Sequence, residues 1–246
     1  MLKKIKNYAK GTLLAGGFMF LSFLTPQAHN QYLRYEVGTS VVQVLSPTGG
    51  GGTGFAVQAD SGAEYIMTNR HVCEVAQNGW LVVKQGKNGK GIFKRVIYKD
   101  NKHDICLIEG DRRLDPLEIG KGLYIGESMH IVGHPGLRAL TVSNGEYIGN
   151  YIVKLVDDSA KTREQCHGTI QELPPFLQSL YGIEFVCLKS FLSYSTTAVA
   201  YGGNSGSPVV NKYGNVIGIL FAGNPQQNTD NFVVPVYEIK RVLSKF

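Results

Sequence analysis

Three short stretches carry side chains that perform acyl transfer when they meet in space. They are Ile66-Met-Thr-Asn-Arg-His71-Val-Cys73, His103-Asp104-Ile-Cys-Leu-Ile108 and Tyr201-Gly-Gly-Asn-Ser-Gly-Ser-Pro-Val-Val210. A serine hydroxyl is a weak nucleophile at neutral pH. It needs a base within hydrogen-bond reach, and that base needs an orienting group. Histidine suits the base because it titrates near neutrality. A buried aspartate selects the imidazole tautomer and stabilises the imidazolium. The expected roles are therefore Ser205 as nucleophile, His71 as base and Asp104 as orienting acid. The glycines beside Ser205 have a task too. The backbone N–H groups of Gly203 and Ser205 can converge on the oxygen of a tetrahedral intermediate, and one such donor is worth about 3 kcal/mol. Glycine at 203 permits the backbone angles this needs. Alone, residues 201–210 also fit a turn between strands; the histidine and aspartate stretches are what favour a nucleophile.

The order along the chain is His71, Asp104, Ser205. That is the order of chymotrypsin, and not of subtilisin or the α/β-hydrolases. The hydrolase elbow G-x-S-x-G also fails, because Gly203-Asn-Ser-Gly-Ser207 ends in serine. Thr68-Asn-Arg-His71-Val, Asp104-Ile-Cys-Leu-Ile and Gly203-Asn-Ser-Gly-Ser-Pro208 resemble the three blocks of the chymotrypsin-fold (trypsin-like) serine proteases. Within that clan, Gly202-Gly-Asn-Ser-Gly-Ser-Pro-Val-Val-Asn, Asn215-Val-Ile-Gly-Ile219 and Ile131-Val-Gly-His-Pro-Gly136 resemble the bacterial branch of glutamyl-endopeptidase-like and HtrA-like enzymes. The resemblance runs from about residue 40 to residue 246 and is dense only in these blocks. It implies an all-β fold: two six-stranded antiparallel barrels and a C-terminal α-helix, with the site between them.

The chain departs from the resemblance at telling places. Glutamyl enzymes place a histidine after the Gly-Ile pair and a threonine before the Gly-Gly pair. Here Leu220 and Ala200 stand there. With Ala222 they imply an apolar substrate pocket and a preference for apolar residues before the scissile bond. Asn204 stands where animal enzymes carry the aspartate that pairs with a new N-terminus, so activation by that ion pair is not expected. No PDZ-like segment follows the terminal helix, which speaks against an HtrA-type regulated oligomer.

Positioning these residues falls to short runs of strand character. They are Ser40–Ser46, Gly54–Gln58, Glu64–Thr68, Trp80–Lys84, Ile92–Lys99 and Asp104–Glu109, then Ser128–Val132, Ala139–Ser143, Glu146–Lys154, Phe185–Ser195, Pro208–Asn211, Val216–Phe221 and Asn231–Val236. Turn residues separate them at near-regular spacing, the signature of a barrel or sandwich. A linker at 110–124 divides them. The expected domains are 36–120, carrying His71 and Asp104, and 121–246, carrying Ser205 and a terminal helix at 236–246 with an apolar stripe. Residues 157–184 read as a surface excursion with a short helix near Gln171–Tyr181, Pro174-Pro175 in its first turn. Gly49–Gly52 reads as a flexible lead into a strand, and Asn88-Gly89 as a hairpin tip.

Bulk properties exclude several classes. Of 246 residues, 43% are apolar and 18% charged, enough to bury a core. Lys3, Lys4, Lys6 and Lys10 supply four of the six net positive charges, and the remainder is too weak a bias for nucleic acid. The lysine-rich start, the apolar run Thr12–Leu24 and Thr-Pro-Gln-Ala28 read as a targeting segment. As a helix the run spans about 20 Å, short of the ~30 Å hydrocarbon core. Residues 1–28 are therefore read as a signal peptide, with an uncleaved N-terminal anchor as the alternative, since cleavage after Ala28 leaves Pro26 where a small residue is expected. The protein is expected to be exported, periplasmic or secreted, with membrane contact only through such an anchor. Cys166 and Cys187 flank the excursion and are placed to staple it, as export permits. Cys73 and Cys106 each follow a site residue by two positions; they either pair or are small buried hydrophobes. No cysteine or histidine spacing points to a metal, and no cofactor is called for. His103, His130 and His134 read as structural, with His103 on a strand facing away from the site.

The expectation is a serine endopeptidase acting on protein or peptide substrates through an acyl-enzyme. A catalytically inactive homologue serving as a protein-binding module is the alternative, as is an esterase on the same fold.

Overall fold

Turn residues cut the apolar runs into strands that pair as two antiparallel sheets. The structure, a computed structural model, describes residues 25–47, 49–86, 89–157, 160–223 and 231–246. The first sheet contains β1 (Val41–Leu45), β2 (Gly51–Gln58), β3 (Glu64–Asn69), β4 (Trp80–Lys84), β5 (Ile92–Asp100) and β6 (Ile105–Glu109). It closes in the order β1-β2-β3-β6-β5-β4. The second contains β7 (Ser128–Gly133), β8 (Thr141–Val156), β9 (Thr169–Glu172), β10 (Phe185–Thr196), β11 (Pro208–Val210), β12 (Val216–Gly223) and β13 (Asn231–Pro235). Its order is β13-β12-β11-β7-β8-β10-β9, and pairing of Tyr194 with Val233 joins β10 to β13. Six strands thus form a second barrel, and β9 takes the rest of that edge of β10, opposite Phe185–Leu188. The fold is the expected pair of six-stranded barrels with a C-terminal helix.

Several local readings change. Ala139–Ser143 and Glu146–Lys154, expected as two strands, are one, because β8 runs through Asn144-Gly145. Gly145 lies in the strand because a Cβ there would stand 2.0 Å from the Ala198 nitrogen, so glycine serves a close approach rather than a reversal. Strand β9 inside the 157–184 excursion was not anticipated. Its helix is Pro175–Tyr181, started by the two prolines and ended by Gly182 in the left-handed conformation at φ +68°. The polar lead-in before residue 36 is a helix, α1 (Pro26–Glu36). Thr25 caps it, its hydroxyl accepting from the Ala28 N–H at 3.3 Å. Residues 1–24, which hold most of the targeting segment, lie outside the described residues, as does Asn88 at the hairpin tip. The other α-helices among the described residues are α2 (Arg70–Cys73), α3 (the Pro175–Tyr181 helix) and α4 (Val236–Leu243).

Strand burial explains the assembly. β5 alternates between half-buried and exposed positions, as a strand with one solvated face should. β2 is buried at six successive residues because one face lines its barrel and the other meets the second barrel. A continuous apolar core joins Phe55, Met67 and Ile105 of the first barrel to Val210 and Ile219 of the second. Leu33 of α1 and Ile239 of α4 belong to the same core.

Candidate active site between the barrels

The register of β3 on β6 brings the first two site residues together. Asn69 pairs with Ile105, so the residues just after β3 face those just before β6. The chain leaves β3 into the single turn α2, which carries His71. It enters β6 through Asp104, whose φ of +57° lies in the left-handed region. Aspartate is among the few residues that tolerate that conformation. Neighbouring main chain holds it: the Asp104 carbonyl accepts from the Arg70 N–H at 3.0 Å and from Asn69 Nδ2 at 3.1 Å.

The Asp104 carboxylate then faces His71 with both oxygens. Oδ1 accepts from the His71 backbone N–H at 3.0 Å, and Oδ2 lies 2.7 Å from His71 Nδ1. A carboxylate only accepts, so Nδ1 bears a hydrogen, and in the neutral imidazole Nε2 is the nitrogen with the lone pair. The aspartate side chain is buried at 5% exposure while the imidazole is 41% exposed, so the imidazole faces the solvent and the carboxylate does not. A disulfide joins Cys73 of α2 to Cys106 of β6, with Cα atoms 6.5 Å apart. It therefore ties the element carrying the histidine to the strand that follows the aspartate. A second disulfide, Cys166–Cys187, ties the excursion to β10.

Ser205 comes from the other barrel, on a loop ahead of β11. It is half-buried. The loop is clasped from β2. The Thr53 N–H donates to the Ser205 carbonyl at 2.8 Å, and Thr53 Oγ1 donates to the Gly203 carbonyl at 2.8 Å. The same hydroxyl accepts from the His134 N–H at 3.1 Å. Thr53 is fully buried. Gly52, next to it, has no room for a side chain: a Cβ would stand 2.5 Å from the Ser205 oxygen and 2.7 Å from Val72 Cγ2. The Ser205 main chain and the residue after His71 thus converge on one point. The Gly49–Gly52 run is more than a flexible lead, because Gly52 makes this approach possible. Gly206, at φ +84°, is crowded in the same way by the Thr53 carbonyl and Thr68 Oγ1 at 2.1 Å.

The peptide before Gly203 is aimed. The Gly202 carbonyl accepts from the Gly136 N–H at 2.6 Å. Carbonyl and N–H oppose each other across a trans peptide, so the Gly203 N–H points away from the Pro135–Leu137 turn. Among the described residues, neither that N–H nor the Ser205 N–H donates to a protein acceptor. Gly203 has φ +91°, and a Cβ there would stand 2.7 Å from the His134 oxygen. His134 itself is buried, which pushes its imidazole below the usual range despite a bond from Nδ1 to the Arg138 carbonyl.

The expected pocket residues are only partly brought together. Leu220 is buried in the core of the second barrel, and Ala200 packs against the same cluster. Ala222 pairs with Phe232 in the β12–β13 ladder. A cleft of about 220 Å³ opens on the Asp104 side of His71, between Arg70 and Glu74 on one barrel and Leu155 and Phe221 on the other. His103, read as structural on a strand, lies instead in the turn before β6 and contacts α4. Thr53 and His103 carried no sequence signal of their own. A glycine run placed directly before a polar residue in an otherwise apolar strand was the nearest hint of Thr53.

Residues 52–219 match the family model described as the trypsin-like peptidase domain. A probable periplasmic serine endoprotease, DegP-like, of Chlamydia muridarum is 30% identical over 201 residues, covering 79% of this chain and 33% of that protein. The pro-apoptotic serine protease NMA111 of Meyerozyma guilliermondii is 28% identical over 198 residues, covering 78% of this chain and 17% of that protein. The chain thus spans a third or less of these relatives. The Rv3671c protease of M. tuberculosis in its active form superposes with a TM-score of 0.67 at 20% identity, over 90% of this chain and 86% of that one, a likeness of fold.

Proposed function

The chain belongs to the trypsin-like peptidase family, and on that premise we propose that it is a serine endopeptidase whose nucleophile is Ser205. The observation that carries this reading is the 2.7 Å contact of His71 Nδ1 with Asp104 Oδ2, which leaves Nε2 free to act as a base. Ser205 Oγ attacks the peptide carbonyl while its proton passes to His71 Nε2. Asp104 stabilises the imidazolium that forms. The carbonyl oxygen becomes an oxyanion and is met by the N–H groups of Gly203 and Ser205. Collapse expels the amine, which takes the proton from His71 and leaves Ser205 acylated. Water then attacks the ester, again with His71 as base, and frees the serine.

The primary pocket is assigned to the side of Ala200, Leu220 and Ala222, and the preferred residue before the scissile bond is apolar. Leu220 is buried in the core of its barrel with Ala200 at the edge of the same cluster, so the assignment rests on the apolar character of the three residues. Residues 36–120 and 121–246 are assigned as the two barrel domains, and residues 1–28 as an export segment or anchor. Two disulfides fit an oxidising compartment. Among the described residues no helix is long and apolar enough to cross a membrane.

Digestion of a peptide library by wild type and Ser205→Ala tests the reading. Wild type should cut after apolar residues and the variant should not cut. Equal cleavage by both would remove Ser205 as the nucleophile. Cutting after acidic or basic residues would remove the pocket assignment.

A further inference from the structure

Asp104 holds a left-handed backbone conformation at φ +57°. Such a residue persists only where its surroundings over-determine it. On its C-terminal side β6 supplies that restraint. On its N-terminal side lies the segment 100–103, and α4 and the second barrel grip it at Asp100, Asn101 and His103. Helix α4 presents Glu238 and Arg241 one turn apart. Arg241 donates to Asp100 Oδ2, and its NH2 group lies 2.9 Å from His103 Nδ1. Glu238 Oε1 lies 3.2 Å from His103 Nε2, and Glu238 Oε2 accepts from Arg241 Nε at 2.5 Å. From β10, Lys189 Nζ donates to the Asn101 carbonyl. The Phe191 ring packs edge-on against the His103 ring at 5.9 Å.

A guanidinium only donates and a carboxylate only accepts. His103 Nε2 therefore donates to Glu238, while Nδ1 faces both the Arg241 guanidinium at 2.9 Å and Asp100 Oδ2 at 3.5 Å, so both ring nitrogens are held by α4 and the end of β5. His103 is 7% exposed and directly precedes Asp104, so its placement fixes where the Asp104 backbone begins. Buried ionic clusters are poor sources of net stability, since apolar residues of similar size often do as well. This cluster, however, is placed where it governs one strained residue of the site.

We propose that Glu238 and Arg241 are positioning residues: through His103 they hold Asp104 at the angle from which it orients His71. The proposal rests on the endopeptidase reading for its catalytic consequence, but its structural part can be read separately. The low-field proton NMR resonance of His71 Nδ1–H reports its hydrogen bond to Asp104 whether or not the protein cleaves anything. In Arg241→Met and Glu238→Leu that resonance should shift upfield or broaden. kcat should fall at least tenfold with KM within about twofold, as expected when an interaction acts in the transition state alone. Glu238→Gln keeps an acceptor for His103 and should restore most of both signals. If Arg241→Met and Glu238→Leu stay folded by circular dichroism but keep the wild-type resonance and kcat, the proposal is overturned. Should those two lose their fold, the decision passes to Arg241→Lys and Glu238→Gln: a displaced resonance in Arg241→Lys with a restored one in Glu238→Gln supports it, and wild-type resonances in both overturn it. A displaced resonance in a protein whose wild type cleaves no peptide would leave the positioning role standing and remove the endopeptidase reading.

Discussion

The three residues to which the chemistry is assigned are singled out by their types, because acyl transfer by serine demands a base and a base-orienting acid. What holds them is not. Thr53 lies 150 residues from Gly203, and a buried threonine in an apolar strand looks like any other strand residue. Its hydroxyl nevertheless bridges Gly203 and His134 across the barrels, and its N–H holds Ser205. Replacing it by valine keeps the shape and strands two buried groups, a loss of about 1–3 kcal/mol. Thr53→Val should therefore lower kcat/KM about tenfold or more, while Thr53→Ser keeps most activity. Progress curves on one peptide substrate would check both. Equal rates for Thr53→Val and wild type would show that the clasp has no bearing on the site.

Strands were placed from sequence mostly to within one or two residues, because alternation and turn residues report a sheet surface directly. The errors came where glycine meant close approach rather than reversal, at Gly145 and at Gly52. They came also at α1, where polar residues hid a single buried leucine, Leu33. The pairing of Cys73 with Cys106 was open from sequence, since it depended on the register of β3 on β6. That bridge closes a loop of sequence separation 33. Loop-closure entropy assigns such a crosslink about 3–4 kcal/mol. The Cys73→Ala/Cys106→Ala protein should lose roughly that much in urea unfolding. It should also lose activity at temperatures where it remains folded, because the crosslink ties α2 to β6. Retention of full stability would place the bridge outside the energetics of the barrel.

Across the whole molecule, the site depends on how the barrels meet, and sequence periodicity says nothing of that. Asp100 makes the point. Burial alone would raise its carboxyl, but contacts from His103, Arg241 and the Lys102 N–H outweigh it and hold the group well below the usual carboxylate range. A depressed carboxyl contributes stability above its unfolded pKa, about 3.9, and loses it as pH falls further. Asp100→Asn should thus be less stable than wild type at pH 7 by about 3 kcal/mol, the cost of breaking a buried ionic cluster. The gap should narrow steadily below about pH 4 as wild-type Asp100 gains its proton. Urea midpoints across that range would measure it. A gap that stayed constant down to pH 2 would mean that Asp100 is not held ionised by the α4 contact.

The central claim is that Ser205 is a nucleophile activated by His71. Its most direct measurement is labelling with a fluorophosphonate, which forms a covalent bond only with an activated serine hydroxyl, followed by peptide mass spectrometry. Wild type should carry the label on Ser205 alone, and His71→Ala, folded by circular dichroism, should carry none. Label on another serine, or equal labelling of Ser205 in His71→Ala, would contradict the account.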